Sequence, residues 1–391
     1  MPAAFTAEAF AAELKRILSY WEKYSPDPDQ GGFYGQVGYD NIPKPDAPRS
    51  VVVNGRILWT FSMAHRLFPT PSYKQLADRA FAYLSEHFFD EKNGGVYWSV
   101  TAAGQPLETI KQMYGQAFAM YGLSEYYRIS KSPEALKLAQ GLFAYIEKHA
   151  FDPHEGGYLE AVGREGQPIE NYILSQAPYL KSMNTHLHLI EAYTNLYVVW
   201  PDALLKQRIK GMMGAILGHI VAPDTNRMKL FFTKDWTPKN NIISYGHDIE
   251  ASWLLYETAE ILKDEEMLHW VHDRCLKMAE AATSGLSQDG ALNYEYDPET
   301  KHTQTDRSWW VMAEQIVGFY NAYQLSHQEK YKKLAERSWD YTYEKFVDQE
   351  RGEWYTTVRE DGTAVKGDKI HFWKGPYHNA RACAEMWRRL S

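Results

Sequence analysis

The sequence predicts an all-α fold, a closed (α/α)6 barrel of twelve helices, on three observations. A loop signature of glycine followed by aromatic residues recurs along the chain, helical periodicity fills the stretches between, and oddly placed polar residues fall in every second helix. The signatures are DQGGFY at 29–34, KNGGVYW at 92–98, HEGGYLE at 154–160, QDGALNY at 288–294 and RGEWY at 351–355. Gly31 to Gly94, Gly94 to Gly156 and Gly290 to Gly352 are steps of about 62 residues, and Gly156 to Gly290 is about twice that. The stretch DTNRMKLFF at 224–232 falls where the missing copy belongs, which makes six units.

Each unit reads as helix, short turn, helix and loop. Apolar periodicity predicts helices over 7–20, 57–67, 73–88, 112–127, 135–146, 185–199, 249–261 and 313–323. Ser132-Pro133 and Asp152-Pro153 punctuate them. Extended segments are expected only as short hairpins in the glycine-aromatic loops. An open solenoid is the competing architecture, but its last unit would need a polar capping face, and the last helix here is rich in candidate site residues. The repeat favours one domain over 1–391.

Composition narrows the function class. With 24% charged and 45% hydrophobic residues, the chain has ample material for a large core. Its net charge of -8 and pI near 6.0 give no basic footprint for nucleic acid or for an anionic membrane. Cys275 and Cys383 are far apart and form no CxxC, so neither a disulfide framework nor a thiolate metal site is expected. The start, MPAAFTAEAFAAELKRIL, reads as the first amphipathic helix and lacks the basic, then apolar, pattern of a signal peptide. A cytoplasmic protein, monomer rather than dimer, is expected. Phosphate-cradling glycine motifs are absent from the sequence, so no nucleotide cofactor is implied.

The even-numbered helices carry the polar residues. The second has Arg56, the fourth Tyr114, the sixth Asn184 and His188 at i, i+4. In the eighth, SYGHDIEASW puts His247 and Glu250 on one face, as a base and the acid that orients it. Trp310 and Glu314 share a face of the tenth, and Trp373, His378 and Arg381 are assigned to the twelfth. In a closed barrel all of these converge on one mouth. The HLH at 186–188 invites a metal reading, but residues two apart on a helix point nearly oppositely, so His188 is placed inward and His186 is left structural. Exposed aromatic faces such as Trp310 and Trp373 suit the C-H side of a pyranose.

On these motifs the chain resembles the N-acylglucosamine 2-epimerase superfamily, and within it the cellobiose 2-epimerases. NGRILWTFS, KQMYGQAFAMYGLSEYY, KSMNTHLHLIEAYTNLY, SYGHDIEASWLL, WWVMAEQIVGFYNAY and WKGPYHNARAC each look like a family segment, in family order. The resemblance implies an (α/α)6 barrel, no metal or other cofactor, and reversible inversion at C2 of a reducing-end sugar. It places catalytic residues at His247, His378, His188, Arg56 and Tyr114, and substrate-binding residues at Asn184, Glu250, Trp310, Glu314 and Trp373. Gly375 and Gly55 depart from the family pattern, which commonly has Cys at the first and Ser or Ala at the second; both are expected to bear on substrate preference more than on chemistry.

The expected reaction opens the sugar ring, removes the C2 proton and stabilises an enediolate. Histidine, with an unperturbed pKa of ~6.5, suits both acid and base work. Rival readings are a mannose 2-epimerase, an N-acylglucosamine 2-epimerase and an aldose-ketose isomerase. An inverting hydrolase would instead use Glu250 and Glu314 across a cleft.

Overall fold

The periodic segments become long α-helices in the computed structural model, which describes residues 4–170 and 172–391. Twelve α-helices lie among the described residues: α1 (Ala7–Tyr24), α2 (Val51–Leu67), α3 (Pro71–His87), α4 (Met113–Ser130), α5 (Pro133–His149), α6 (Met183–Val199), α7 (Ala203–Ala215), α8 (Tyr245–Leu262), α9 (Glu265–Ala282), α10 (Trp309–Ser326), α11 (Glu329–Tyr341) and α12 (Tyr377–Leu390). The even-numbered helices pack in one unbroken ring, α2 on α4, α4 on α6, α6 on α8, α8 on α10, α10 on α12 and α12 back on α2. Outside them, α3, α5, α7, α9 and α11 each pack on the inner helix they follow, while α1 packs on α12 and closes the outer layer. The architecture is the (α/α)6 barrel.

Burial separates the two rings as composition requires. On α1 only one face is buried, through Phe10, Leu14, Ile17, Leu18 and Trp21, whereas α4 is buried at every position from Met113 to Tyr126. Close helix contact explains Gly55: a Cβ there would lie 2.5 Å from the Phe118 carbonyl oxygen of α4, so this glycine answers to α2–α4 packing and not to the substrate. Three inner helices, α4, α8 and α10, end on left-handed residues, Lys131, Lys263 and His327, that turn the chain outward. Proline at the first position starts α3 and α5.

The sixfold repeat is visible as six isolated bridges: Pro26 with Phe33, Phe89 with Val96, Phe151 with Tyr158, Val221 with Met228, Leu286 with Leu292 and Val347 with Trp354. The fourth bridge confirms the degenerate copy. Three inner helices pin their own loop from their fourth residue, since Gln116 bonds both backbone groups of Val96, His186 Nε2 accepts from Tyr158 N and Asp248 Oδ1 accepts from Met228 N. His186 is therefore a structural peg equivalent to Gln116 and Asp248.

Short hairpins form within the loops as expected, Ser99–Val100 with Pro106–Glu108 and Glu295–Asp297 with His302–Gln304, and pairing between units is added to them. Two-residue to four-residue strands just ahead of the inner helices pair with the loop of the following unit: Arg49–Ser50 with Ser99–Val100, Lys111–Gln112 with Ala161–Val162, Tyr179–Ser182 with Phe231–Thr233, Ile243–Ser244 with Glu295–Asp297 and Arg307–Ser308 with Thr357–Val358. A bridge between Val37 and Ile370 completes the circuit. These straps also cap helices, because the first N–H of α2, α4, α6 and α10 donates to Trp98, Glu160, Leu230 and Thr356 of the next unit's loop. Backbone donors at the helix starts are thus satisfied without closing the mouth.

Candidate active site

All six inner helices start at the same end of the barrel, and the candidate residues occupy two tiers there. Tyr114, Asn184, Trp310 and His378 are the second residues of α4, α6, α10 and α12, and His247 is the third of α8. Arg56, His188, Glu250 and Glu314 are each the sixth residue of their helix, about one turn deeper. A cavity of about 320 Å³ opens between the tiers, at the small end of ligand pockets. Its walls include nine of the ten predicted residues, all but Glu314. Trp373 lies in the loop before α12, not on the helix as the sequence reading placed it. Gly375 in the same loop lies against Arg56, where an added Cβ would come within 3.3 Å of the Arg56 Cβ.

Each of three histidines is held through Nδ1, which leaves Nε2 for the cavity. His188 Nδ1 is 3.0 Å from Glu191 Oε2, His378 Nδ1 is 2.7 Å from Glu314 Oε1, and His247 Nδ1 is 2.7 Å from Ser244 Oγ. This corrects two assignments. Glu250 does not orient His247; the i−3 hydroxyl of Ser244 does. Glu314 is not placed to bind substrate, since Oε1 accepts from His378 and Arg381 while Oε2 accepts from Trp253 Nε1. His247 and His378 flank the Trp310 ring, at centroid distances of 4.6 and 5.8 Å.

Under the histidines, Arg381 ties three helices together. Its Nη1 donates to Glu191 and meets the Tyr377 hydroxyl, and Nη2 donates to Glu250 Oε1 at 2.8 Å and Glu314 Oε1 at 2.7 Å. Burial pushes Glu191 up, but Arg381 and then His188 and Tyr377 outweigh it and bring the carboxyl down to about 2. Glu250 goes the other way, held well above the carboxylate range by burial and by the neighbouring Glu314. Burial raises Glu314 as well, but Arg381 and Trp253 draw it part of the way back, so of these two carboxyls Glu250 is the one that favours the proton. Burial also keeps the imidazoles neutral: His247 is brought down to about 3, and His378 is held well below the usual imidazole range by burial and by Arg56 and Arg381.

Several buried polar atoms of the cavity residues have no hydrogen-bond partner among the described residues: Arg56 Nε, Asn184 Oδ1, Glu250 Oε2 and Trp309 Nε1. Arg56 is otherwise fixed, with Nη1 on the Trp373 carbonyl and Nη2 on the Tyr114 hydroxyl, both at 2.9 Å, and its guanidinium over the Phe118 ring. A buried unsatisfied donor or acceptor costs ~1–3 kcal/mol, so such atoms in a cavity mark where a polyhydroxylated ligand gains most.

Donor geometry also bears on metals. Ligand atoms of Glu250, Glu314 and His378 lie within 4.8 Å of one another. Yet the Arg381 guanidinium already bridges the two carboxyls, and an ion there would have to displace it. The same closeness argues against an inverting hydrolase, whose carboxyls stand ~6.5–9.5 Å apart with water between them.

Sequence reasoning missed Glu191, Ser244, Tyr294, Ser308, Trp309, His371 and Tyr377. Two of these carried a signal, since Glu191 lies at i+3 from His188 and Ser244 at i−3 from His247. The others come from loops, from the strand Arg307–Ser308 or from helix positions whose direction is set by tertiary packing.

Residues 32–382 match the family described as N-acylglucosamine 2-epimerase (GlcNAc 2-epimerase). The cellobiose 2-epimerase of Bacteroides fragilis is 43% identical over 374 residues, covering 95% of each chain. That of Dictyoglomus turgidum is 35% identical, covering 98% of each. The solved structure of cellobiose 2-epimerase from Bacillus thermoamylovorans superposes with a TM-score of 0.93 at 37% identity, over 98% of this chain and 99% of that one. A D-mannose isomerase structure shares the fold, with a TM-score of 0.89 at 22% identity. Matched by the family over most of its length and alike these relatives from end to end, the chain belongs to the N-acylglucosamine 2-epimerase family.

Proposed function

We propose that the protein is a carbohydrate epimerase that reversibly inverts C2 of the reducing-end glucose or mannose of a β-1,4-linked disaccharide such as cellobiose. The observation that carries this reading is the cavity's set of three imidazoles with free Nε2 atoms beside unsatisfied Arg56 Nε, Asn184 Oδ1 and Glu250 Oε2. Relatives at 35% to 43% identity over nearly the whole chain, named cellobiose 2-epimerases, support the substrate.

The chemistry follows from the protonation that each partner imposes. Glu314 accepts three hydrogen bonds, so His378 gives it the Nδ1 proton and presents a bare Nε2 as base. Lifting the C2 proton of the open-chain aldehyde forms an imidazolium, which Glu314 holds, and an enediolate whose charge sits on O1 and O2. Arg56, with its Nε–H free, and the proton-bearing Glu250 offer donors to that charge in a water-poor site. The converging helix starts add partial positive charge at the same place. Tyr114 and Asn184 hold hydroxyls, while Trp310 and Trp373 bound the ring. Inversion completes when a proton reaches the opposite face of C2, either from the His247 side or after rotation about C2–C3 brings that face to His378.

Incubation in D₂O with cellobiose, glucose, mannose and N-acetylglucosamine separately, read by NMR, tests the proposal. Deuterium at C2 of the new epimer from cellobiose is expected. Cleavage to monosaccharides, or unchanged cellobiose with turnover of N-acetylglucosamine, would overturn it. Protium retained at C2 of the product indicates one base with rotation, whereas full deuteration fits two bases or one base that exchanges its proton with solvent.

A further inference from the structure

A fourth imidazole reaches the cavity, and its surroundings set it apart from the other three. His371 lies in the loop between Ile370, which bridges to Val37, and the start of α12, with its ring edge-on to Trp309 at 6.1 Å between centroids. Its Nδ1 accepts from the backbone N–H of Trp373 at 3.3 Å, whereas the other three face carboxylates or a hydroxyl. A ring nitrogen that accepts from an amide carries no proton, so in the neutral ring the proton is on Nε2. Burial, with Lys374 nearby, brings His371 down to about 4 and keeps it neutral. Nε2–H therefore remains a donor at neutral pH, with no hydrogen-bond acceptor among the described residues.

Position says what it would donate to. Arg56, Tyr114, His188, Glu250 and His378 are buried, whereas His247 is half-buried like Trp310, His371 and Trp373, but of the four imidazoles only His371 comes from a loop ahead of the helix starts and not from an inner helix. Trp309 lines the cavity beside His371 with an indole N–H that also lacks a partner. Building on the proposed disaccharide reaction, we infer that His371 is a specificity-determining residue whose Nε2–H donates to the sugar unit beyond the reacting ring, with Trp309 as a companion donor on the same wall. The three histidines carried by inner helices act on C1 and C2, and this one, from the loop, reads chain length.

Steady-state epimerisation of cellobiose, with glucose as a competitor, tests it in His371→Phe, which keeps a flat ring without the donor, and in Trp309→Phe. Loss of one neutral hydrogen bond is worth ~0.5–1.5 kcal/mol, or roughly a 3- to 10-fold rise in KM. KM for cellobiose is expected to rise by that factor in His371→Phe, with kcat and the Ki of glucose moving less than about twofold, and His371→Gln, which restores an N–H, is expected to recover part of the loss. Trp309→Phe should show the same split and serves as the deciding variant if His371→Phe does not fold. KM and Ki rising together would place the contact on the reacting ring and overturn the inference. Loss of kcat at unchanged KM, or no change, would overturn it as well. If wild-type protein fails to convert cellobiose into its C2 epimer, the reaction reading falls first; if it epimerises normally and the split is absent, only the role of His371 falls.

Discussion

Replacing Arg381 with methionine keeps the bulk and removes the cation that Glu191, Glu250 and Glu314 share. Breaking a buried ion pair from one side costs ~3–5 kcal/mol, because the remaining charge has no partner. The loss should depend on pH. In the native protein Glu191 titrates at about 2 against 4.5 for the free group. A folded pKa below the unfolded one means stability that is present above the unfolded value and is lost as pH falls through the folded one. About 2.5 pH units corresponds to ~3 kcal/mol at neutral pH, fading between roughly pH 5 and pH 2. Without Arg381 the strongest force opposing burial is gone, and Glu191 rises toward protonation. The variant should therefore be weakest relative to wild type near pH 7.5 and close part of the gap by pH 4. Urea unfolding followed by circular dichroism at pH 7.5, 5.5 and 4 measures this. A difference below about 1 kcal/mol, or one that stays constant with pH, would refute the assignment of Arg381 as the counter-charge of the floor.

Other expectations follow from the same geometry. His247→Ala and His378→Ala should each lower kcat/KM for C2 exchange by roughly 10²- to 10⁴-fold while the far-ultraviolet spectrum is kept, and near-normal exchange in either would remove that residue from the chemistry. Ser244→Ala removes only a guide for the His247 ring; a kcat loss of roughly 5- to 10-fold is expected, about 1 kcal/mol, and a loss as large as that of His247→Ala would mean Ser244 meets the substrate itself. Because His247 is brought down to about 3, its neutral form should persist into acid, so the acid limb of kcat/KM in the free enzyme should fall below pH 5 in a pH–rate profile. Dialysis against a chelator should leave epimerisation unchanged, and activity that disappears and returns with Mn²⁺ would show that an ion displaces Arg381.

The barrel and most of the site were legible because their signals are local. Glycines with positive φ at Gly31, Gly94, Gly156, Gly290 and Gly352 mark the repeat, and helical spacing brings His188 and Asn184 to one face. Helix starts were harder to see. Clear apolar periodicity begins at Ile57, Ile249 and Ala313, whereas the helices begin at Val51, Tyr245 and Trp309, because the intervening turn carries the polar and aromatic residues of the site. A helix buried on every side also loses the amphipathic contrast that spacing depends on. The role of Glu250 was misread for a different reason. Sharing a helix face with His247 brought the two near in the pattern, but Arg381, from a helix more than a hundred residues away, captured the carboxyl. His371 gave no signal, since it stands in a loop whose shape is set by a bridge to Val37 at the other end of the chain.

The straps between consecutive units limit how this scaffold can be redesigned. Since the opening amide of α2, α4, α6 or α10 is satisfied by the loop that comes one repeat later, transplanting a single loop from a relative replaces the cap of a neighbour as well as the intended segment of the rim. Chimeras should therefore exchange adjoining loops as pairs, with the helix start they share, so that each backbone carbonyl keeps its register with the amide it caps.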